Sequence, residues 1–305
     1  MGLDRIVIGT RGSALALWQA DHVAALLRAA HPGLAVERNI IVTTGDRTGP
    51  VSEAGGKAVW VKEIEAALVA REIDLAVHSL KDVPAELAPG LVLAAIPTRA
   101  DVRDALVSRS GADLANLPSG AHVGTTSLRR MCQVKALRPD LLILPLRGNL
   151  DTRLRRVAEG QVDAAVLACA GLDRLGLSNH IAERIPIERM LPAIGQGALA
   201  IETRAVDESL RVLCRALASD EAEITVTAER TLLQHLGAGC RTPVAGAAQV
   251  QQGKLEVWGL VGSPDGATML REHVAGAPSD ARALGRALAE ALIARGADRI
   301  LAAFR

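Results

Sequence analysis

Strand-like and helix-like segments alternate along the first two-thirds of the chain, and this alternation restricts the fold more than any other feature. Residues 5–9 alternate as a short strand, and Ser13 to Ala30 sets apolar residues at helical spacing until His31-Pro32-Gly33 stops the helix. Val36 to Val42 reads as the next strand, Trp60 to Arg71 as a helix, and Leu75 to His78 and Leu91 to Ile96 as strands. The cycle resumes after Asp101, with strands at Ala121–Gly124, Leu141–Leu146 and Ala164–Ala168 and helices over Ser127–Leu137 and Asp151–Glu159. A Gly-rich stretch at 193–198 then precedes a strand at Leu199–Glu202 and a helix at Asp207–Ala218, which fit as a return to the first unit. Such alternation predicts α/β layers built on parallel or mixed sheets. The last part differs: a helix at Glu221–Leu236, three strands at 245–250, 255–261 and 268–273, and a helix at Ser279–Arg295 suggest an α+β domain.

At 305 residues and 49% apolar content the chain can bury a sizeable core, and its length favours two or three domains over one. The core is expected to be aliphatic, because there is no Tyr, one Phe and three Trp. A net charge of +1 gives no bulk attraction to nucleic acid or to an anionic membrane. The longest apolar run, Ala164 to Leu172, is far short of the roughly 18 residues of a membrane span. The first nine residues lack the basic-then-apolar order of a secretory signal, so a cytoplasmic location is expected. Cys132, Cys169, Cys214 and Cys240 share no metal-ligand or C-x-x-C spacing, which predicts free thiols in a reducing compartment and no metal.

Charge is the sharpest local signal. Between Arg129 and Arg156 stand seven Arg and one Lys against Asp140 and Asp151, an excess of +6 in a chain whose total is +1. Gly124-Thr125-Thr126-Ser127 precedes a helix, where backbone N–H groups, hydroxyls and the positive helix end attract an anion, and Arg129 and Arg130 follow. Arg147-Gly148-Asn149 leads into a second helix that carries Arg153 in its first turn. The pattern suits a ligand with several carboxylates or phosphates. Arg138, Arg155 and Arg156 read instead as solvated helix faces. Thr10-Arg11-Gly12-Ser13 repeats the strand-to-helix junction in the first unit, so Arg11 and Ser13 are anion-site candidates, with ordinary N-capping by Ser13 as the other reading.

His78-Ser79-Leu80-Lys81-Asp82-Val83-Pro84 follows an apolar strand, placing Asp82 at a strand's carboxyl end. A carboxylate there can transfer protons or stabilise a cationic intermediate, although an Asp before Pro is commonly a turn residue. Cys240 lies in Leu236-Gly237-Ala238-Gly239-Cys240-Arg241-Thr242-Pro243, where two Gly leave the sulfur accessible and Arg241 favours the thiolate; a small buried Cys in a turn is the plainer reading. Cys132, Cys169 and Cys214 sit inside apolar patterns and read as core. Gly55-Gly56-Lys57-Ala58 lacks the spacing of a phosphate loop, Met1-Gly2 lacks the Ser or Thr of an acylation signal, and His78-Ser79 has no third member for a hydrolase triad.

Taken in order, these segments resemble the porphobilinogen deaminase (hydroxymethylbilane synthase) family. The blocks are T-R-G-S-A-L-A-L-W-Q-A at Thr10, G-G-K at Gly55, D-L-A-V-H-S-L-K-D-V-P at Asp74, G-T-T-S-L-R-R at Gly124, L-R-G-N at Leu146, A-G-L-D-R-L-G at Ala170, G-Q-G-A at Gly195 and G-A-G-C at Gly237. The resemblance runs essentially end to end and implies two periplasmic-binding-protein type II-like α/β domains plus a smaller α+β C-terminal domain. The implied boundaries are 1–98 with 198–217, 102–193 and 219–305. It further implies a transferase of tetrapyrrole (porphyrin, haem) biosynthesis, cytoplasmic and monomeric. Such an enzyme condenses four porphobilinogens head to tail onto a covalent dipyrromethane, with loss of ammonia, and water then releases hydroxymethylbilane.

By the same resemblance, Cys240 carries the dipyrromethane as a thioether. Asp82 is the acid/base that assists ammonia loss and stabilises the cationic azafulvene and pyrrole intermediates. Lys81, Thr125, Thr126, Ser127, Arg129 and Arg130 hold the cofactor, joined by Asp82. Arg11, Ser13, Arg147, Arg153, Arg174 and Gln196 bind substrate or the extending chain, and Lys57 and Trp60 belong to a covering loop. Each pyrrole brings an acetate and a propionate, which gives the Arg surplus a chemical reason. Some positions depart from the pattern: the Thr44–Gly56 loop is short, Trp60 stands where Phe is usual, and Arg241-Thr242 replaces Gln-Val beside Cys240. A non-enzymatic polycarboxylate-binding protein of periplasmic-receptor type is the alternative from another class; loss of Asp82 or Cys240, or a signal peptide, would have favoured it.

Overall fold

A computed structural model of the chain describes residues 3–45, 61–239 and 241–304. Lys57, Trp60, Cys240 and most of the Thr44–Gly56 loop lie outside the described residues. The chain divides into two compact units, residues 1–100 with 198–223 and residues 101–197 with 224–305.

In chain order the first segment contains β1 (Arg5–Thr10), α1 (Ala14–Ala30), β2 (Ala35–Ile40), α2 (Lys62–Val69), β3 (Leu75–Ser79) and β4 (Leu91–Ala95). The second contains β5 (Asp104–Ser108), β6 (His122–Gly124), α3 (Leu128–Leu137), β7 (Leu142–Leu144), α4 (Leu150–Ala158), β8 (Ala164–Ala168), α5 (Cys169–Arg174) and β9 (Glu183–Ile185). The chain then returns to the first unit as β10 (Leu199–Arg204) and α6 (Glu208–Arg215). The last segment holds α7 (Asp220–His235), β11 (Val244–Gln251), β12 (Lys254–Gly262), β13 (Met269–Gly276), α8 (Ala281–Ala294) and α9 (Ala297–Leu301).

The first unit's sheet runs β2-β1-β3-β10-β4, and the second unit's runs β7-β6-β8-β5-β9. These are one order used twice: second strand, first, third, an antiparallel intruder, then the fourth. β1 pairs in parallel with β2 and β3, while β10 runs antiparallel to β3 and β4. β6 pairs in parallel with β7 and β8, while β5 runs antiparallel to β8 and β9. In each sheet the intruder is the first strand after the chain has passed from the other unit. This is the two-crossover α/β architecture that the resemblance implied, with a smaller three-stranded C-terminal sheet and its helices added.

The local causes are conventional. Ser13 Oγ accepts the Ala16 N–H and caps α1, and Ile6, Ile8, Val23, Leu27, Leu75, Val77 and Ile201 fill the aliphatic core between helix and sheet. In the C-terminal sheet, β11 and β12 pair from Val244↔Val261 to Gln251↔Lys254 across the two residues Gln252-Gly253. Both have positive φ, +50° and +76°, the signature of a twisted two-residue hairpin turn. Gly285 lets α8 press on α7, because a Cβ there would stand 2.3 Å from the Ala228 carbonyl oxygen.

β5, β9 and α5 are absent from the pattern reading. β9 has three residues and β5 opens on a buried Asp, so neither carries clean alternation. Arg138, read as a solvated side chain, donates to the carbonyls of Leu114, Ala115 and Leu117 and to Asp140, fastening the loop after β5. That role needs the tertiary fold and has no local signature.

Candidate functional site

Ligands of open α/β sheets gather at the carboxyl ends of parallel strands, and in each unit the chemistry-bearing residues stand there. In the first unit, β1 and β3 are parallel neighbours, so the residues that follow them share one end of the sheet. Arg11 follows β1, and Ser13 serves as the N-cap of α1, its hydroxyl accepting the Ala16 N–H at 3.4 Å. The capping reading of Ser13 therefore holds in this structure. Lys81 and Asp82 close a single 3-10 turn, Leu80–Asp82, directly after β3, and both are half-buried. The turn is held from three directions: Leu80 N–H donates to the Ala198 carbonyl, Val83 N–H donates to the Leu80 carbonyl, and Gln19 Nε2 donates to Ser79 Oγ.

Beneath that turn, His78 and Glu202 form a buried pair across β3 and β10. Glu65 stands close enough to sense it. Burial pushes the Glu65 carboxyl above the ordinary Glu value, with the Glu202 charge adding to the rise and the Ala88 backbone and His78 opposing it.

In the second unit, β6, β7 and β8 are parallel neighbours and all end at the same side. Buried Thr125 and exposed Thr126 follow β6, and Ser127 caps α3 by accepting the Arg130 N–H. Thr125 Oγ1 accepts the Ser127 N–H at 3.1 Å. Arg147 is exposed after β7, and Arg153, in the first turn of α4, donates Nε to the Gly148 carbonyl at 2.8 Å. Arg174 ends α5 after β8 and donates to the Gly197 carbonyl at 2.7 Å; burial pushes its guanidinium down to about 10.

The sequence did not reveal where the side chains of Arg129 and Arg130 go. Both are buried and both engage Asp104, the first residue of β5, whose carboxylate is fully enclosed. Arg129 Nη1 lies 2.5 Å from Asp104 Oδ2 and also donates to the Leu191 carbonyl, while Arg130 donates Nε and Nη2 to Oδ1 at 3.0 and 2.7 Å. Gln196, itself fully buried, adds its Nε2 at 3.1 Å to the same oxygen. Burial alone would raise the Asp104 carboxyl, but the two guanidinium charges and their hydrogen bonds outweigh it and hold it well below the usual carboxylate range. Burial lowers Arg130, with the Asp104 charge opposing. One carboxylate against two guanidiniums leaves the buried cluster one positive charge in excess. The only local hint of Asp104 was an acidic residue opening an apolar run, Asp104-Ala105-Leu106-Val107.

Two family models match the chain: "Porphobilinogen deaminase, dipyromethane cofactor binding domain" over residues 6–212, and "Porphobilinogen deaminase, C-terminal domain" over residues 223–294. The chain belongs to the porphobilinogen deaminase family. Among curated proteins named porphobilinogen deaminase, that of Syntrophobacter fumaroxidans is 48% identical over 301 residues, covering 98% of this chain and 97% of that one. The porphobilinogen deaminase of Syntrophotalea carbinolica is 49% identical over 305 residues, covering 99% and 97%. That of Roseiflexus sp. strain RS-1 is 50% identical over 299, covering 97% and 98%. Among solved structures, the BvgS periplasmic VFT2 domain of Bordetella pertussis is a loose likeness, at 17% identity, covering 72% of this chain and 90% of that one with a TM-score of 0.43. The sheet order of the chain itself carries the fold assignment.

The residues present fit a dipyrromethane, the group named for the first porphobilinogen deaminase domain. Each of its rings bears carboxylates, and the donor set at the strand ends of the second unit is cationic and hydroxylic, backed by a buried cluster with one positive charge in excess. An apolar or cationic group would gain nothing from that set.

Proposed function

We propose that this chain joins porphobilinogen units head to tail, with release of ammonia, on a dipyrromethane held as a thioether at Cys240, the product leaving as hydroxymethylbilane. The observation that carries the reading is the placement of Asp82 on a braced turn at the carboxyl end of β3, one residue from Lys81 and beside the strand that delivers Arg11. When bound, the dipyrromethane supplies the electron-rich pyrrole carbon to which the first unit is added.

In the first unit, Asp82 accepts and returns a proton at its carboxylate oxygens, and its charge stabilises the positive charge that develops as ammonia leaves. Lys81 holds carboxylates of the cofactor, and Arg11 and Ser13 receive those of the incoming substrate. In the second unit, Thr125, Thr126, Ser127, Arg129 and Arg130 hold the cofactor, and Arg147, Arg153, Arg174 and Gln196 serve the substrate and the lengthening chain. Fork-shaped guanidiniums suit this work, since each addition brings two more carboxylates to be matched in pairs.

The reading includes three domains, residues 1–98 with 198–217, 102–193 and 219–305. The separate three-stranded sheet and the break between the two family models support that division. It also includes a monomer acting in the cytoplasm without nucleic acid, in keeping with a net charge of +1. No helix among the described residues is long and apolar enough to cross a membrane.

Intact mass under denaturing conditions tests the proposal. The expected result is an increment equal to two condensed porphobilinogen units, mapped to the peptide containing Cys240. A bare chain that stays bare after incubation with porphobilinogen would overturn it.

A further inference from the structure

Arg129 and Arg130 are consecutive, so their guanidiniums repel one another and each has several rotatable bonds through which to separate. They are nonetheless gathered on one carboxylate. Asp104 Oδ1 takes Nε and Nη2 of Arg130, Nη2 of Arg129 at 3.3 Å and Nε2 of Gln196, while Oδ2 takes Nη1 of Arg129. Arg129 is braced again from behind. Its Nη1 donates to the Leu191 carbonyl, and Gln133, one turn further along α3, clamps the same residue by accepting the Leu191 N–H at 2.7 Å and donating to its carbonyl at 2.9 Å. Gln196 is fixed in turn. Its Nε2 also donates to the Val102 carbonyl at 2.8 Å, and the Gly195 N–H before it donates to the buried Glu229 carboxylate of α7. Glu229 takes the Ala248 N–H of β11 on its other oxygen. A continuous line of hydrogen bonds therefore runs from β11 and α7 through the Gly195-Gln196 turn to Asp104 and on to both guanidiniums.

We propose that Asp104 is a positioning residue for the reaction: braced by Gln196, it fixes the direction of the Arg129 and Arg130 guanidiniums at the start of α3 and trims their charge to one unit of excess. This rests on the functional reading above, since the carboxylates to be met there are those of the dipyrromethane. The geometry divides the work. Arg130 spends Nε and Nη2 on Asp104, so its third nitrogen, Nη1, takes no part in that pairing. Arg129 spends both terminal nitrogens inward. An unbraced pair of buried cations would carry the same donors without a direction, and a buried carboxylate shared by two arginines supplies one.

The test compares folded chains of Asp104→Asn, Asp104→Glu and Gln196→Leu, made with precursor available. Two quantities are read: the fraction of monodisperse chains that carries the covalent increment, and the split between KM and kcat of the loaded fraction. Asp104→Glu keeps the charge and moves the carboxylate by one methylene, and Gln196→Leu, read by its loading because Gln196 is also assigned to the substrate, keeps every charge and removes the amide's bonds to Asp104 and Val102, so both guard against a misfolded Asp104→Asn. The expected result is loading per folded chain reduced about tenfold or more, or KM raised about tenfold with kcat changed by less than about threefold. Folded Asp104→Glu and Gln196→Leu chains with wild-type loading and KM, however low their melting temperatures, would show a purely structural triad and overturn the positioning role. Wild-type chains that never acquire the increment would overturn the functional reading, and the positioning role with it.

Discussion

His78 Nε2 lies 2.9 Å from Glu202 Oε2, with the two side chains only 4% and 1% exposed. The other Glu202 oxygen, Oε1, is buried with no hydrogen-bond partner among the described residues. The pair joins β3 to the returning strand β10 directly under the turn that bears Asp82. Removing one member strands the other, so His78→Leu should cost about 3 kcal/mol or more in chemical denaturation. The double variant His78→Leu/Glu202→Leu should recover much of that loss, because an apolar pair replaces an enclosed polar one. A double variant destabilised by the sum of the His78→Leu and Glu202→Leu losses would show that the contact carries no coupling.

Asp82→Asn keeps the size of the side chain and removes its charge. Turnover of porphobilinogen should fall by about two to four orders of magnitude, while the covalent increment in intact mass persists. Near-normal turnover would remove Asp82 from the chemistry.

Two carboxyls give opposite responses to pH. Asp104 is held below its unfolded value, so its contribution to stability is complete above the ordinary Asp range, near pH 4, and is lost as pH falls toward the folded value. Glu65 is raised above its unfolded value, so its contribution is complete below the ordinary Glu range and is lost as pH rises through the folded value. Melting temperatures followed from acid to neutral pH should show Asp104→Asn flattening the acid limb and Glu65→Gln removing a decline on the other side. Profiles parallel to wild type in both variants would refute the assignments.

Cys132, Cys169 and Cys214 are free and buried. Burial pushes their thiols up to about 11, 12 and 12, with the Arg129 charge opposing the rise at Cys132 and the Asp101 charge adding to it at Cys169. Iodoacetamide at neutral pH should leave all three unmodified in the native protein and label them once it is denatured. Rapid native labelling of any of them would mean that its site opens far more readily than its packing implies.

Much of the candidate site's placement in the fold was legible because it depends on where strands end. Arg11, Ser13, Lys81, Asp82, Thr125 and Ser127 follow apolar runs, and the alternation of strand and helix was enough to place them at carboxyl ends. What escaped was what the side chains do once the chain is folded. Arg129 and Arg130 announce positive charge, but the carboxylate that gathers them lies some 25 residues earlier, at the head of a strand too short to show a period. Gln196 reads as a polar residue in a Gly-rich turn, and only the fold shows its amide aimed at Asp104. The buried pairing of His78 with Glu202 spans 124 positions and has no local trace at either end.

The position of β10 between β3 and β4 has a consequence for how the chain is made. No sheet of the first unit can close until residue 204 has left the ribosome, on the order of ten seconds after Ala95 at ordinary rates of synthesis. Meanwhile β5 to β9 are delivered without interruption and can complete their own sheet. The sheet begun first is therefore completed second, and through that interval β3 and β4 expose open edges that a chaperone, or a neighbouring nascent chain, can reach.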